Sequence, residues 1–540
     1  MLIHSLLKLH LYAELDVNWN KNIQMQGKKV YQEKLFTNFQ LFHRIPESNL
    51  YRRLKEALNL EFLYKETKQH YGDCGQKSID PIVFFKLCLI GYLENITSDR
   101  KLIEHCSLRL DILFFLDYNV DEELPWHSTV SRTRQLFPES IFEQVFNRVL
   151  HLCVEKGMVS GHTQVIDSAL IKANASMSSM ELKVPEDTLE EHLRKIREFS
   201  SADRPVKNDK ASHKQKTITA STGELKALKS CQNKWKKDQD KRVGARNKRS
   251  KYTSNKTHYS PTDPDARIAV KPGKPRKFNY LSQLAVDTAN HVITHIGADF
   301  ADKRDNQCLE SIVNDLKSRL NVLGLLWTNL PADTGYSSGE IYAFLEKKGI
   351  LSFIPPHANY KGGPEGFEYI NEGDFWKCPM GKHITYRKNK VYKGTLLKVY
   401  LNQRKDCSSC SIKTKCLGQY SEKRIVITAY KQEYDRAINR VNSKQGRYMK
   451  KKRQSTVEPV FGTLINFMGL SKINTIGIKQ ANKVMIMAGV AYNIKKYLKY
   501  KGTLAESTVQ SVRHAVLTTI GFIWLILRPN KQLNFEQLQN

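Results

Sequence analysis

An α/β core preceded by an all-α module is the architecture that this 540-residue sequence predicts. Three observations predict it. Apolar residues recur at three- and four-residue spacing from about residue 45 to 155. Strand-like apolar runs then alternate with helical segments from about 156 to 500. Single acidic residues interrupt or close those runs at positions far apart in the chain, as Asp167, Asp333 and Glu458 do.

In the helical region, Pro81 to Leu93 reads as a buried helix, with Asp80 as its N-cap and Pro81 at the first position, where the missing N–H costs nothing. Ser98-Asp99-Arg100 opens a second helix. A third follows Trp126-His127, capped by Ser128 and carrying Arg132 and Arg134. A serine-capped, arginine-bearing helix in a small helical module is compatible with helix-turn-helix-like DNA binding, with both arginines on DNA. A packing or dimerisation module with solvated arginines fits the same pattern. Residues 1–44 read as an N-terminal extension.

The core follows in order. His162 to Ile171 is an apolar strand interrupted by Asp167. Tyr280 to Asp287 and His291 to Ile296 form a hairpin about Thr288-Ala289-Asn290. Asn306–Leu320 is helical, Leu325–Leu330 a strand closed by Asp333, Ser337–Lys348 a helix and Ile350–Ile354 a strand ended by Pro355-Pro356. Arg447–Asn466 is the late helix, with Glu458 at its start or at a kink, because the residue before Pro459 is pushed out of helical geometry. This succession matches an RNase H-like mixed sheet flanked by helices. Two insertions interrupt it, a basic one over 176–277 and a Cys-rich one over 357–440, and a tail follows residue 501.

Composition narrows the partners. With 86 Lys and Arg against 54 Asp and Glu, the formal charge is +32, which implies a polyanion such as nucleic acid or an anionic membrane surface. The basic insertion has too few apolar residues to bury a core, and Lys236, Lys237, Arg246, Lys248 and Arg249 in it read as phosphate contacts. No membrane partner is expected: the apolar run at 515–527 is too short for a bilayer core, and charged residues break the N-terminal one. The cysteines form no secreted disulfide pattern and no signal peptide precedes them, so a reducing cytoplasm is expected.

A carboxylate on an apolar strand is costly to bury unless something pairs it, and a divalent cation is one such partner. In the strand order above, Asp167 falls on the first strand, Asp333 just past the fourth and Glu458 on or near the late helix, so all three can meet at one sheet edge. Hard oxygen ligands suit two Mg²⁺ or Mn²⁺ ions acting on a phosphodiester. Cys378, Cys407, Cys410 and Cys416 form a second constellation, enough for a tetrahedral structural zinc or for four free thiols in a β-rich insertion.

With these residues in view, the chain resembles the DDE transposases of bacterial insertion sequences, the group typified by insertion sequence eleven-eighty-two in particular. The resemblance is carried by Asp80-Pro81-Ile82-Val83 with His127-Ser128-Thr129-Val130, by Val165-Ile166-Asp167-Ser168, by Thr262-Asp263-Pro264-Asp265 with Ala332-Asp333-Thr334-Gly335-Tyr336, and by Val457-Glu458-Pro459-Val460-Phe461-Gly462. It implies that Asp167, Asp333 and Glu458 are a catalytic triad. It also implies cleavage at the ends of a mobile element, joining of the freed 3′-OH to target DNA, a dimer or higher multimer on DNA, and a bacterial, nucleoid-associated location. Arg453 would be the upstream basic residue of the glutamate block, contacting phosphate. A Lys or Arg is usual seven residues after that glutamate, but Ile465 stands there, and Lys472, two helical turns on, is the nearest substitute. A decayed copy that binds DNA without cutting it, and a nuclease without strand transfer, are the other readings.

Overall fold

The helical region folds as its spacing dictates. In this computed structural model residues 40–72, 78–182, 255, 258–269, 275–358, 360–392 and 394–501 are described. The chain divides into two units, 1–46 and 47–540. The described part of the first holds one short helix, α1 (Leu41–Arg44). All that follows concerns the second.

Helices α2 (Leu50–Ala57), α3 (Phe62–Thr67), α4 (Pro81–Leu93), α5 (Asp99–Ser107), α6 (Leu110–Leu116), α7 (His127–Leu136) and α8 (Glu139–Glu155) come first. Asp80 caps α4 as expected, its Oδ1 accepting from the Ile82 and Val83 amides at 2.7 and 3.1 Å. Ser128 does not cap α7. The helix begins one residue earlier, at His127, and Trp126 stands at the cap position with no side-chain bond. Phe137 anchors the module: its ring lies 5.4 Å from Phe84 and stacks on Phe85 at 6.1 Å.

The central sheet is built on β1 (Gln164–Lys172), which pairs antiparallel with β5 (Lys277–Asp287) along its whole length. β6 (Ile293–Phe300) pairs antiparallel with the other edge of β5, and the short β4 (Arg267–Ala269) also pairs with β5. On the free edge of β1, parallel bridges join Thr163 to Asn329 and Ile166 to Ala332. They bring in β7 (Asn329–Pro331), itself parallel to β8 (Leu351–Phe353). The order is therefore β6-β5-β1-β7-β8, three antiparallel strands followed by two parallel ones. Helices α9 (Asp305–Val322) and α10 (Gly339–Lys347) make the crossovers that parallel strands need. β2 (Glu181–Leu182) and β3 (His258–Tyr259) pair across the base of the basic insertion. Lys236, Lys237, Arg246, Lys248 and Arg249 lie outside the described residues, as does the tail from 502.

The predicted Cys-rich insertion holds a second, antiparallel sheet in the order β13-β12-β11-β10-β9, from β9 (Glu368–Ile370), β10 (Phe375–Lys377), β11 (His383–Tyr392), β12 (Thr395–Leu401) and β13 (Arg424–Thr428). Trp376, Ile384, Tyr400 and Ile425 form its small core. Short helices α11 (Arg404–Ser408) and α12 (Lys413–Leu417) sit between β12 and β13, and α13 (Lys431–Asn442) leads out of the region.

Two long helices close the fold, α14 (Lys444–Phe467) and α15 (Ile478–Lys499). α14 corrects the expectation for Glu458. The helix runs unbroken through Pro459, so Glu458 is neither a cap nor a helix start. Burial of Val457, Val460, Phe461 and Leu464 against the sheet offsets the roughly 3 kcal/mol that an internal proline costs. α15 is buried almost all round, from Lys483 to Ile494, and packs on α8, β6 and α4. At Gly489 a Cβ would lie 2.8 Å from Ile296 Cγ2, so only glycine allows this close approach. The Thr262-Asp263-Pro264-Asp265 block holds the start of α15. Asp263 accepts from the Gly477 amide at 3.1 Å and Asp265 from the Ile478 amide at 3.0 Å, placing negative charge at the helix N-terminus. One continuous core joins the helices to the sheet. Among the described residues no helix is long and apolar enough to cross a membrane.

His295 on β6 gives this core a pH dependence. Burial, and then the charge of Arg319 with its Nη1 3.4 Å from the ring, hold the imidazole down at about 3. The unfolded residue titrates near 6.5, so between about pH 3 and 6.5 the unfolded chain binds more protons and stability rises with pH. Acidification from pH 7 to 5 should cost up to about 2 kcal/mol through this residue. Thermal melts at the two pH values check it: His295→Gln should flatten the slope, and an unchanged slope would acquit His295.

Candidate active site

The register of the sheet places two of the three predicted acids side by side. Ile166 bridges Ala332 in parallel, so Asp167 within β1 and Asp333 just past β7 each follow a bridged residue and lie side by side in the chain register. Val165 and Ile166 are buried, and the Asp167 side chain keeps only 18% of its exposure. Its Oδ1 accepts from the Ser168 amide at 2.8 Å and its Oδ2 from Arg453 Nη1 at 2.7 Å. Burial pushes the Asp167 carboxyl up to about 6. The Ser168 amide and the Arg453 charge oppose the rise, while the charges of Asp333 and Asp305 add to it. Asp333 is exposed and caps the turn after β7, accepting from the Thr334 amide at 2.7 Å.

Asp305 carries no signal of its own in the sequence. At the start of α9 it reads as an ordinary first-turn acid. In the fold its Oδ1 accepts from Ser168 Oγ at 2.7 Å. Ser168 faces the opposite way from Asp167 along the strand, so Asp305 touches the neighbour and acts on Asp167 through its charge. Gly335 makes room for it, since a Cβ there would fall 2.6 Å from Asp305 Oδ2. The glycine of Asp333-Thr334-Gly335 is the one sequence signal of a close approach. Behind it, the buried Tyr336 hydroxyl donates to Gln283 Oε1 at 2.8 Å.

Glu458 lies on α14, the helix that packs on β1, β5, β7 and β8. Its side chain is exposed and makes no hydrogen bond or ion pair to a described residue. The residue of α14 that touches Asp167 is Arg453. Among the described residues, no three or more His, Cys, Asp or Glu side chains stand in a group able to hold a metal ion as placed. The donor chemistry nonetheless fits a hard cation: Asp167 is poorly solvated, Asp333 repels it, and a positive charge already sits on its Oδ2.

The predicted DNA contacts divide. Arg132 is exposed on α7. Arg134 is turned inward, its Nη1 and Nη2 donating to both oxygens of Asp99 at 2.8 and 2.7 Å with both side chains mostly buried, so it serves the fold. Arg453 is committed to Asp167, not to solvent. Lys472 is not on the late helix at all. It lies beyond the end at Phe467, bridged to Lys172 at the end of β1, where the Ile473 amide donates to the Lys172 carbonyl at 2.8 Å. Ile465 packs against the core, a setting that a basic side chain would resist.

The four cysteines converge. Cys378, Cys407, Cys410 and Cys416 are reduced and line one small cavity with Lys382, Lys413 and Lys423. Burial, and then the other three thiols, push the Cys407 thiol up. Backbone N–H of Lys382 donates to Cys378 Sγ at 3.3 Å, and Asn402 Nδ2 to Cys407 Sγ at 2.8 Å, contacts that favour thiolates. Four sulfurs around one cavity are the ligand type of a soft or borderline divalent cation, although as placed they do not stand in a group able to hold one.

Residues 39–136 match a family model described as Transposase domain (DUF772), and residues 377–498 match one described as Transposase DDE domain. Both matched segments, 98 and 122 of the 540 residues, are thus similar to transposase domains. The DDE match covers Glu458, Arg453 and all four converging cysteines, whereas Asp167 and Asp333 lie before it. No curated protein matches the chain. A cryo-EM structure of a piggyBac transposase synaptic complex with hairpin DNA aligns with 88% of this chain and 80% of its own, at 10% identity and a TM-score of 0.28. At that score the likeness carries no structural argument.

Proposed function

We propose that this protein is a DNA transposase that cleaves the ends of an insertion sequence and joins the freed 3′-OH ends to target DNA. Asp167, Asp333 and Glu458 would bind two Mg²⁺ or Mn²⁺ ions, which supply charge stabilisation and an activated oxygen at the phosphodiester. The observation that carries this reading is the placing of a desolvated Asp167 beside the Ala332-Asp333 segment, against a helix whose sequence includes Glu458. A net charge of +32 supports a DNA substrate. The strand order β6-β5-β1-β7-β8 supports reading the sheet as RNase H-like, with Asp167 on the first strand and Asp333 just past the fourth. Arg453 holds Asp167 in place and offsets its charge. Its role is positioning, and the phosphate contact expected of it would require that pair to open. A dimer on DNA, with one subunit at each element end, follows from joining two ends at one target. The test is strand transfer by the full-length protein with DNA bearing the element ends: products joined to target in Mg²⁺ support the reading, and binding without any cut strand marks a copy that only binds DNA.

The cysteine cavity completes the proposal as a structural zinc site that ties β10 and β11 to α11 and α12. Metal analysis should find close to one zinc per chain, and Cys407→Ser should lose it and speed proteolysis between residues 357 and 440. Protein free of zinc yet equally resistant would discard the site.

A further inference from the structure

We propose that the ribbon formed by β11 and β12 is a duplex-DNA contact surface, a role that rests on the transposase reading above. In β11 only Ile384 is buried; every other position from His383 to Tyr392 is exposed, on both faces. A strand in a folded sheet ordinarily buries at least one face. This one is held chiefly by its ladder with β12, from Lys388 opposite Val399 to Tyr392 opposite Thr395. β10 covers its edge only as far as Thr385, and β13 reaches along β12 only to Leu397. Beyond both points the pairs Val391 with Leu396 and Tyr392 with Thr395 stand as a bare two-stranded tip, a form of marginal stability alone in water, while β13 still flanks β12 opposite Lys388 and Lys390. The major groove of DNA, about 12 Å wide, admits such a ribbon.

The chemistry on this shape is one-sided. From Phe375 to Lys405 there are nine Lys or Arg and no Asp or Glu. A register shift between Tyr386 and Lys388 sets Arg387 out of the ladder, after which Lys388, Lys390 and Tyr392 share a face. Tyr392 is 54% exposed and Val391 67%, and Lys390 Nζ lies 5.8 Å from the Tyr392 ring. Lys398, by contrast, is tied to Asp374 at 2.9 Å and braces the base. Lysines that only guard a free edge against aggregation explain charge along that edge. They do not explain Lys388, Lys390 and Tyr392 exposed together on one face, a basic and aromatic set that suits phosphates and base edges within a groove.

The test compares full-length wild type, Lys388→Glu with Lys390→Glu, Tyr392→Ala, and a charge-matched control, Lys65→Glu with Lys347→Glu, at exposed helical positions. Duplex DNA carrying the element end is titrated over a salt series, and each protein is also assayed for cleavage. The ribbon charge reversal should weaken binding at least about tenfold and reduce the slope of log K against log salt by about 2, at roughly 0.9 for each phosphate no longer neutralised. Tyr392→Ala, which leaves the charge intact, should weaken binding about threefold without changing the slope. The control should bind as wild type does. If wild type cuts DNA while both ribbon variants bind normally, or the control loses as much affinity, the ribbon proposal alone is overturned. An equal loss of binding to phosphatidylserine vesicles would overturn it in favour of a lipid surface. Wild type that neither binds nor cuts overturns the transposase reading, and this proposal with it.

Discussion

Asp167→Asn should abolish metal-dependent DNA cleavage, by at least about a thousandfold, or roughly 4 kcal/mol of barrier. The substitution keeps the side-chain shape and removes the charge that a cation would bind. It should not cost the fold its stability, because at neutral pH the buried Asp167 carboxylate, faced by Asp333 and Asp305, is itself a strained element of the site. Arg453, itself mostly buried, loses its ion partner, and that loss is offset by relief of the carboxylate. Cleavage in single turnover and thermal melting, read together, check the pair of expectations. A variant that melts like wild type and cuts like wild type would remove Asp167 from the chemistry.

Arg134→Ala should destabilise the protein by about 3 kcal/mol or more while leaving the DNA affinity of folded molecules unchanged. The guanidinium and the Asp99 carboxylate are both mostly buried and joined by two short hydrogen bonds, so truncation strands a carboxylate. Arg132→Ala, two residues away and exposed, should change stability by no more than about 0.5 kcal/mol. Denaturant titration of both variants beside a binding isotherm separates the two roles. A stable Arg134→Ala protein that binds DNA weakly would restore Arg134 to the DNA surface.

That contrast shows what the sequence could carry. Periodicity locates β1, the β5–β6 hairpin, the crossover helices and α14 to within a few residues, because each has one face that must be buried. The adjacency of Asp167 and Asp333 follows from strand order, since a parallel fourth strand beside the first brings their ends together. Partners are not legible. Nothing local tells Arg132 from Arg134, and only the packing of α5 on α7 decides which one meets Asp99. Arg453 reads as a phosphate contact because its spacing along α14 says nothing of the carboxylate on β1 that it faces. Pro459 reads as a boundary because a local rule disfavours it within a helix, and tertiary burial on either side overrides that rule. Asp263 and Asp265 enter the sequence only as part of the family resemblance, and their role at the start of α15 is set by a helix more than two hundred residues further on.

The central claim, that carboxylates from β1, β7 and α14 act together on a DNA phosphodiester, is tested most directly at Glu458, the acid with no bond to a described residue. Cleavage of element-end DNA by wild type and by Glu458→Gln should be followed in Mg²⁺ and in Mn²⁺. The account predicts cutting and joining by wild type in either metal, and none by the variant at unchanged DNA affinity. Equal cleavage by Glu458→Gln would contradict it, leaving the glutamate as a solvated side chain on α14.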